Sequence, residues 1–143
     1  MKKDNIRDYT TECFRFYAKS GGRNKYIKNL IEDMQRTKGS GVCSPTESEL
    51  IKKEEVISEH AAELADIEAV DKVLYALDVC EHKSILQAIE MVYFKDCWKD
   101  IERGDIQDRV HQAEIHIPAS DRQIYRWLAQ ARKMVARERG LRV

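Results

Sequence analysis

The sequence predicts an all-α fold, a helical bundle with a long central helix and a C-terminal helix-turn-helix. Apolar residues recur at three- and four-residue spacings through most of the chain, which is the pattern of a buried helix face. Strand-like alternation is missing, and only 2 prolines occur in 143 residues, so little would interrupt the helices. A chain of this length can bury one core and a small second module. We therefore expect a helical part over 1–82 and a helix-turn-helix part over 83–143.

Two helices are predicted in the first forty residues, and glycines end both of them. The first stops at Gly21-Gly22 and the second at Gly39-Ser40-Gly41. The apolar face of the first helix has five members: Ile6, Tyr9, Cys13, Phe16 and Tyr17. The stripe of the second also has five: Tyr26, Ile27, Leu30, Ile31 and Met34. Both helices are interpreted as packing elements.

The longest predicted helix covers residues 46–80. Ser44 is placed to cap it, Pro45 suits its first position, and Glu47 completes a capping box. Neither glycine nor proline follows before residue 80. A helix of this size would be roughly 50 Å long, which is more than a small core needs. We therefore expect residues 46–80 to form a homodimer or to contact a partner.

Three further helices are predicted after residue 82. The first ends at Gly104 and points four side chains inward: Ile85, Ile89, Val92 and Tyr93. The second is short and has Asp105 as its N-cap. The third covers about 120–138, because Ser120 and Gln123 have the spacing of a capping box.

The cap at Ser120 sets which residues of the last helix face inward. The inward set is Ile124, Trp127 or Leu128, Ala131 and Val135. It is expected to pack on four apolar residues of the preceding helix and turn: Ile106, Val110, Ile115 and Ile117. The outward set is Arg122, Gln123, Arg126, Gln130 and Lys133. This division predicts a helix with one packed face and one basic, polar face.

The charge distribution indicates what that outward face would bind. The net charge is zero, yet residues 41–90 hold 4 Lys/Arg against 12 Asp/Glu, while residues 122–143 hold 7 against 1. A basic end of this kind favours a polyanion. Arg and Gln match guanine and adenine edges in the major groove, so base contacts are expected from Arg122, Gln123 and Arg126. Phosphate contacts are expected from Lys133, Arg137 and Arg139.

The stretch "IHIPASDRQIYRWLAQARKMVARERG" (115–140) resembles the C-terminus of phage late-gene transcriptional activators of the RinA and ArpU type. Their final domain is similar to the helix-turn-helix of sigma-factor region four. The resemblance covers about residues 84–140 and depends on a few residues: Ser120, Asp121, Arg122, Arg126, Ile124, Trp127 and the upstream Val92-Tyr93-Phe94. The turn departs from the family pattern by about two extra residues, Pro118 and Ala119.

The resemblance implies a sequence-specific duplex-DNA-binding transcription regulator of phage or prophage origin, an activator with RNA polymerase as a further partner. It implies DNA contacts from five residues: Asp121, Arg122, Gln123, Tyr125 and Arg126. Two other functions fit the same features. One is a phage DNA-packaging adaptor, like a small terminase subunit, and the other is a helical interaction protein that does not bind DNA. A ring of eight or more subunits would distinguish packaging, and salt-dependent DNA binding would exclude the last.

Signals for an enzyme, a cofactor or a metal are missing from the sequence. The 4 cysteines and 4 histidines include no CxxC, HxxxH or HExxH spacing, so neither a metal site nor a disulfide framework is indicated. Gly39-Ser40-Gly41 lacks the Lys-Ser/Thr ending of a phosphate-binding loop. No apolar run resembles a membrane span or a secretory signal, so we expect a cytoplasmic protein that is not an enzyme.

Overall fold

The computed structural model describes the backbone of residues 4–38 and 53–142, and the side chains of these residues except 34–38. The described residues are helical without strands, which confirms the all-α prediction. The helices are α1 (Asn5–Ser20), α2 (Arg23–Lys38), α3 (53–59), α4 (Ala61–Val79), α5 (Lys83–Ile89), α6 (Asp105–His116) and α7 (Asp121–Glu138). A π-helical turn, Glu90–Phe94, continues α5. Within this part of the chain, no helix has the length and apolar character that crossing a bilayer requires.

Local signals set the limits of α1 and α7. The Asp4 carboxylate accepts a hydrogen bond of 2.9 Å from the backbone N–H of Arg7 and so caps α1. Gly21 ends α1 with a φ of 77°, a left-handed conformation that glycine adopts without strain. The Ser120 hydroxyl accepts a bond of 3.3 Å from the backbone N–H of Gln123. The predicted stop after α1 and the predicted cap of α7 are both confirmed.

The larger hydrophobic core contains residues of both α1 and α7. α7 packs against α1, α4, α5 and α6, and its buried members in the core are Ile124, Leu128, Ala131 and Val135. Phe14 from α1 is fully buried and stacks on Tyr93, with ring centroids 5.3 Å apart. The boundary expected between residues 82 and 83 therefore passes through one continuous core. Ile6, which was expected on the inner face of α1, is 38% exposed.

The prediction of one uninterrupted helix over 46–80 is corrected at His60, where the structure separates α3 from α4. His60 has a φ of −114° and a ψ of 30°, outside helical geometry. Val56 on one side of the break and Leu64 on the other share a small apolar cluster with Ile27 of α2. The break therefore lies where both helices pack on α2, since histidine does not itself interrupt a helix. The predicted start at Ser44–Glu47 lies outside the described residues, as do Cys43 and the side chain of Met34.

The helix expected to continue to Gly104 ends at Phe94 instead. Lys95 is extended, with a ψ of 133°, and residues 95–104 are not helical. A long-range contact holds this loop, because the buried Arg15 side chain of α1 donates hydrogen bonds to the backbone carbonyls of Cys97 and Lys99. These carbonyls accept from Arg15 and so are satisfied without the backbone N–H groups that a continuing helix would supply.

The start of α6 also differs from the prediction by one residue. Gly104, with a φ of 91°, occupies the N-cap position in place of Asp105. The Asp105 carboxylate turns back and accepts a hydrogen bond of 2.7 Å from the backbone N–H of Glu102. The glycine therefore begins α6 and does not end the preceding helix.

Candidate nucleic-acid interface

α6 and α7 form a pair of helices connected by residues 117–120. Ile117 is buried and extended, and its backbone N–H donates to the Ala113 carbonyl at 2.8 Å. The N–H of Ala119 then donates to the Ile117 carbonyl at 2.7 Å, which closes the turn. The predicted contact of Ile115 with α7 is wrong, because its side chain is 75% exposed. Val110 and Ile117 lie in the core that α7 shares, as predicted.

The outward face of α7 carries a basic stripe, which we define as Arg122, Arg126, Lys133 and Arg137. All four side chains are exposed. At 3.6 residues per turn they fall within a sector of about 60° and extend for roughly 22 Å along the helix. No carboxylate in the described ranges forms an ion pair with any of them. Their charge is therefore available to a ligand along the whole length of α7.

The other predicted contacts of α7 lie around the stripe. Gln130 is exposed beside it, and Gln123 is half-buried. The exposed Asp121 carboxylate accepts a hydrogen bond of 2.7 Å from the backbone N–H of Arg122. Tyr125 is 40% exposed, and burial raises the pKa of its hydroxyl, with a smaller contribution from Asp121. Its ring lines a cavity between α1 and α7.

Arg139, which is expected to contact a phosphate, does not join the basic stripe, because its side chain pairs inside the fold. Its Nε donates to the Asp66 carboxylate at 2.7 Å and to the Tyr9 hydroxyl at 3.1 Å. The two charged side chains are only 29% and 20% exposed, and the Tyr9 hydroxyl also donates to Asp66. Arg139 is therefore neutralised inside the fold, where it connects the end of α7 to α4 and α1.

The sequence did not predict that α1 contributes to the surface around α7. The N-terminal turns of α1 line two neighbouring cavities beside α7, of about 460 and 260 Å³. Arg7 and Arg132 line both cavities, and Lys133 of the basic stripe lines the smaller one. Only the amphipathic pattern of α1 is visible in the sequence, and it does not show which helix its charged side faces.

The buried Cys13 and the half-buried Tyr9 and Tyr17 of α1 predict a loss of stability at alkaline pH. Burial and a hydrogen bond to Asp66 raise the pKa of Tyr9 to about 12, and burial raises the pKa of Cys13 to about 11. Burial and a hydrogen bond to Asp71 raise the pKa of Tyr17 to about 12. In the unfolded chain these groups ionise at lower pH. The contribution of Cys13 is therefore complete below about pH 8 and that of the two tyrosines below about pH 9, and all three are lost as pH rises towards 12.

Urea unfolding measured at intervals from pH 8 to pH 11 would test this expectation. The free energy of unfolding should fall steadily above pH 9, and Tyr17→Phe should make the fall shallower. Tyr75, which is 71% exposed, provides the matched control, since Tyr75→Phe should leave the pH profile unchanged. A flat profile in the unmodified protein would contradict the expectation.

Possible metal ligands are not grouped in the described part of the chain. No set of three or more His, Cys, Asp or Glu side chains there could hold a metal ion. Cys13 and Cys97 are buried free thiols, and Cys80 is an exposed one. The chemistry available at the α7 surface is therefore that of hydrogen-bond donors and positive charge.

Comparisons of the chain with protein-family models, with curated proteins and with solved structures give no match. The resemblance of residues 84–140 to phage late-gene activators therefore stays a prediction. The geometry of α7 and its neighbours is the basis on which a function can be proposed.

Proposed function

We propose that the protein binds duplex DNA through α7 and regulates transcription. The observation that supports this proposal best is the basic stripe, four exposed and unpaired cations on one face of a helix that follows a tight turn. Duplex DNA presents regularly spaced phosphates and a major groove about 12 Å wide that admits an α-helix. The resemblance to phage activators favours transcription regulation, in phage or prophage, over other tasks of DNA-binding proteins.

The packing of α7 suits it to dock as a rigid body. Its buried face contacts four other helices, so the exposed side chains are presented by a backbone that does not need to order on binding. Binding then costs mainly the freedom of the long side chains. This arrangement resembles a recognition helix, which inserts its first turns into the groove while the preceding helix supports it.

The contacts proposed for each residue follow from its position along α7. Arg122 and Arg126 lie in the first two turns and are proposed to read guanine edges, for which arginine has two parallel donors. Asp121, beside them, would accept from a cytosine amino group. Lys133 and Arg137 lie further along the helix and are proposed to hold phosphates. Arg139 is not proposed as a phosphate contact, because Asp66 neutralises its charge.

Fluorescence anisotropy of a labelled duplex, titrated with the full chain at a series of salt concentrations, tests the proposal. With four stripe cations at phosphates or nearby bases, the logarithm of the association constant should fall with the logarithm of salt at a slope of about −2 to −4. Selection from a random duplex pool should return a consensus sequence. No binding, or binding that salt does not change, would contradict the proposal. A ring of eight or more subunits in sedimentation would favour DNA packaging over regulation.

A further inference from the structure

The smaller cavity between α1 and α7 brings together three positive side chains from distant parts of the chain. Arg7 of α1 lines it on one side, and Arg132 and Lys133 of α7 line it on the other. Asp4 is the one carboxylate in its lining. We name this cavity, of about 260 Å³, the α1–α7 cleft.

The lining of the cleft keeps a net positive charge, with three cations against the single carboxylate of Asp4. The Asp4 carboxylate already accepts the backbone N–H of Arg7 as the cap of α1. The Arg7 side chain approaches Asp8 at 3.9 Å, with both side chains more than half exposed, and an ion pair of that kind contributes little. Arg132 donates to the Tyr93 hydroxyl at 2.7 Å, which orients its guanidinium without cancelling the charge. Such a cleft favours an anion.

We infer that the α1–α7 cleft binds a backbone phosphate of the DNA that lies along the basic stripe. This inference rests on the proposed function. Lys133 belongs to both the cleft and the stripe, so a duplex held by the stripe brings its backbone next to the cleft. A helix in the major groove has a phosphate backbone on each side, and one of these would pass α1, which packs beside α7. Arg7 can bind a phosphate through two parallel N–H donors.

Arg7→Ala in the full chain tests the assignment, because Arg7 is exposed and belongs to the cleft but not to the stripe. Affinity should fall about three- to ten-fold for every duplex, whatever its sequence, and the salt slope should decrease by about one. Arg7→Gln should give the same loss, whereas Arg7→Lys should keep the salt slope and recover only part of the affinity, because lysine lacks the paired donors. The matched control is Lys28→Ala, which removes an exposed charge from α2, a helix that packs on α1 and α4, and it should bind as the unmodified protein does.

The outcomes separate this inference from the proposed function. If the unmodified chain binds duplexes and Arg7→Ala does so with unchanged affinity and slope, the cleft assignment is overturned and the proposed function stands. If the unmodified chain binds no duplex, both are overturned. Calorimetry with inorganic phosphate alone should detect no binding in the micromolar range. Micromolar binding that Arg7→Ala abolishes would assign the cleft to a free anion and overturn the inference.

Discussion

Phe14→Ala is expected to lower the free energy of unfolding by about 3–5 kcal/mol, the usual cost of removing a large aromatic side chain from a packed core. Phe14 is fully buried, and its ring stacks on Tyr93, whose hydroxyl accepts from Arg132 of α7. Domains of this size have a free energy of unfolding of about 5–15 kcal/mol, so the variant should be marginally stable. The loss of stability should affect α7 as much as α1, since residues of both helices lie in one core.

Tryptophan fluorescence can follow α7 directly during urea unfolding. Trp127 packs against the core and Trp98 is 78% exposed, so a Trp98→Phe background leaves a probe on α7 alone. Phe16→Ala is the matched control, because Phe16 lies on the same helix but is half-buried and contacts Tyr26 of α2. Phe16→Ala should lower the free energy of unfolding clearly less than Phe14→Ala does. If Phe14→Ala left the Trp127 transition unchanged, residues 83–143 would be an independent domain and the single core would be contradicted.

The parts of this fold that could be predicted from sequence depend on interactions within a few residues. The Ser120 hydroxyl bonds to an N–H three positions along, and Gly21 ends α1 through its own backbone conformation. Once the cap sets the phase of α7, periodicity correctly places Ile124 and Leu128 inside and Arg126 outside. Helix propensity and capping act locally, and they are therefore visible in the order of the residues.

The parts that could not be predicted depend on contacts between distant residues. Arg15 is buried although a charged side chain is expected at the surface, because it reaches carbonyls more than 80 positions away. That contact holds the loop after Phe94, where the sequence predicts that the helix continues to Gly104. The break at His60 likewise lies where residues on both of its sides pack on α2, a contact between distant residues that the helical pattern does not show.

Part of the candidate interface could be predicted from the sequence, and part depends on contacts between distant residues. The basic stripe follows from helix periodicity, since its members share one face of one helix. Arg139 continues the basic run in sequence but pairs with Asp66, 73 positions away. Arg7 lies more than a hundred positions before Lys133, and only the packing of α1 on α7 brings them to one cleft. Charge counts in sequence cannot distinguish a cation that is neutralised in the fold from one that is available to a ligand.

The double variant Arg122→Ala/Arg126→Ala is expected to lose most of its affinity for a duplex that carries the selected consensus. Each base contact contributes about 1–3 kcal/mol, so two of them predict a loss of roughly thirty-fold to twenty-thousand-fold. The affinity for a random duplex should decrease less, because only the general attraction between charges is reduced. Sequence preference should therefore decline together with affinity. Competition between consensus and random duplexes at constant salt measures both.

A second double variant distinguishes base contacts from charge. Lys133→Ala/Arg137→Ala removes the same number of positive charges from the same stripe, and it should weaken binding to both duplexes equally while decreasing the salt slope by about two. Lys83→Ala/Arg103→Ala removes two exposed charges from α5 and from the loop before α6, and it controls for net charge. If the Arg122/Arg126 variant lost affinity equally for consensus and random duplexes, these arginines would contact phosphates, and specificity would have to come from other residues or from DNA shape.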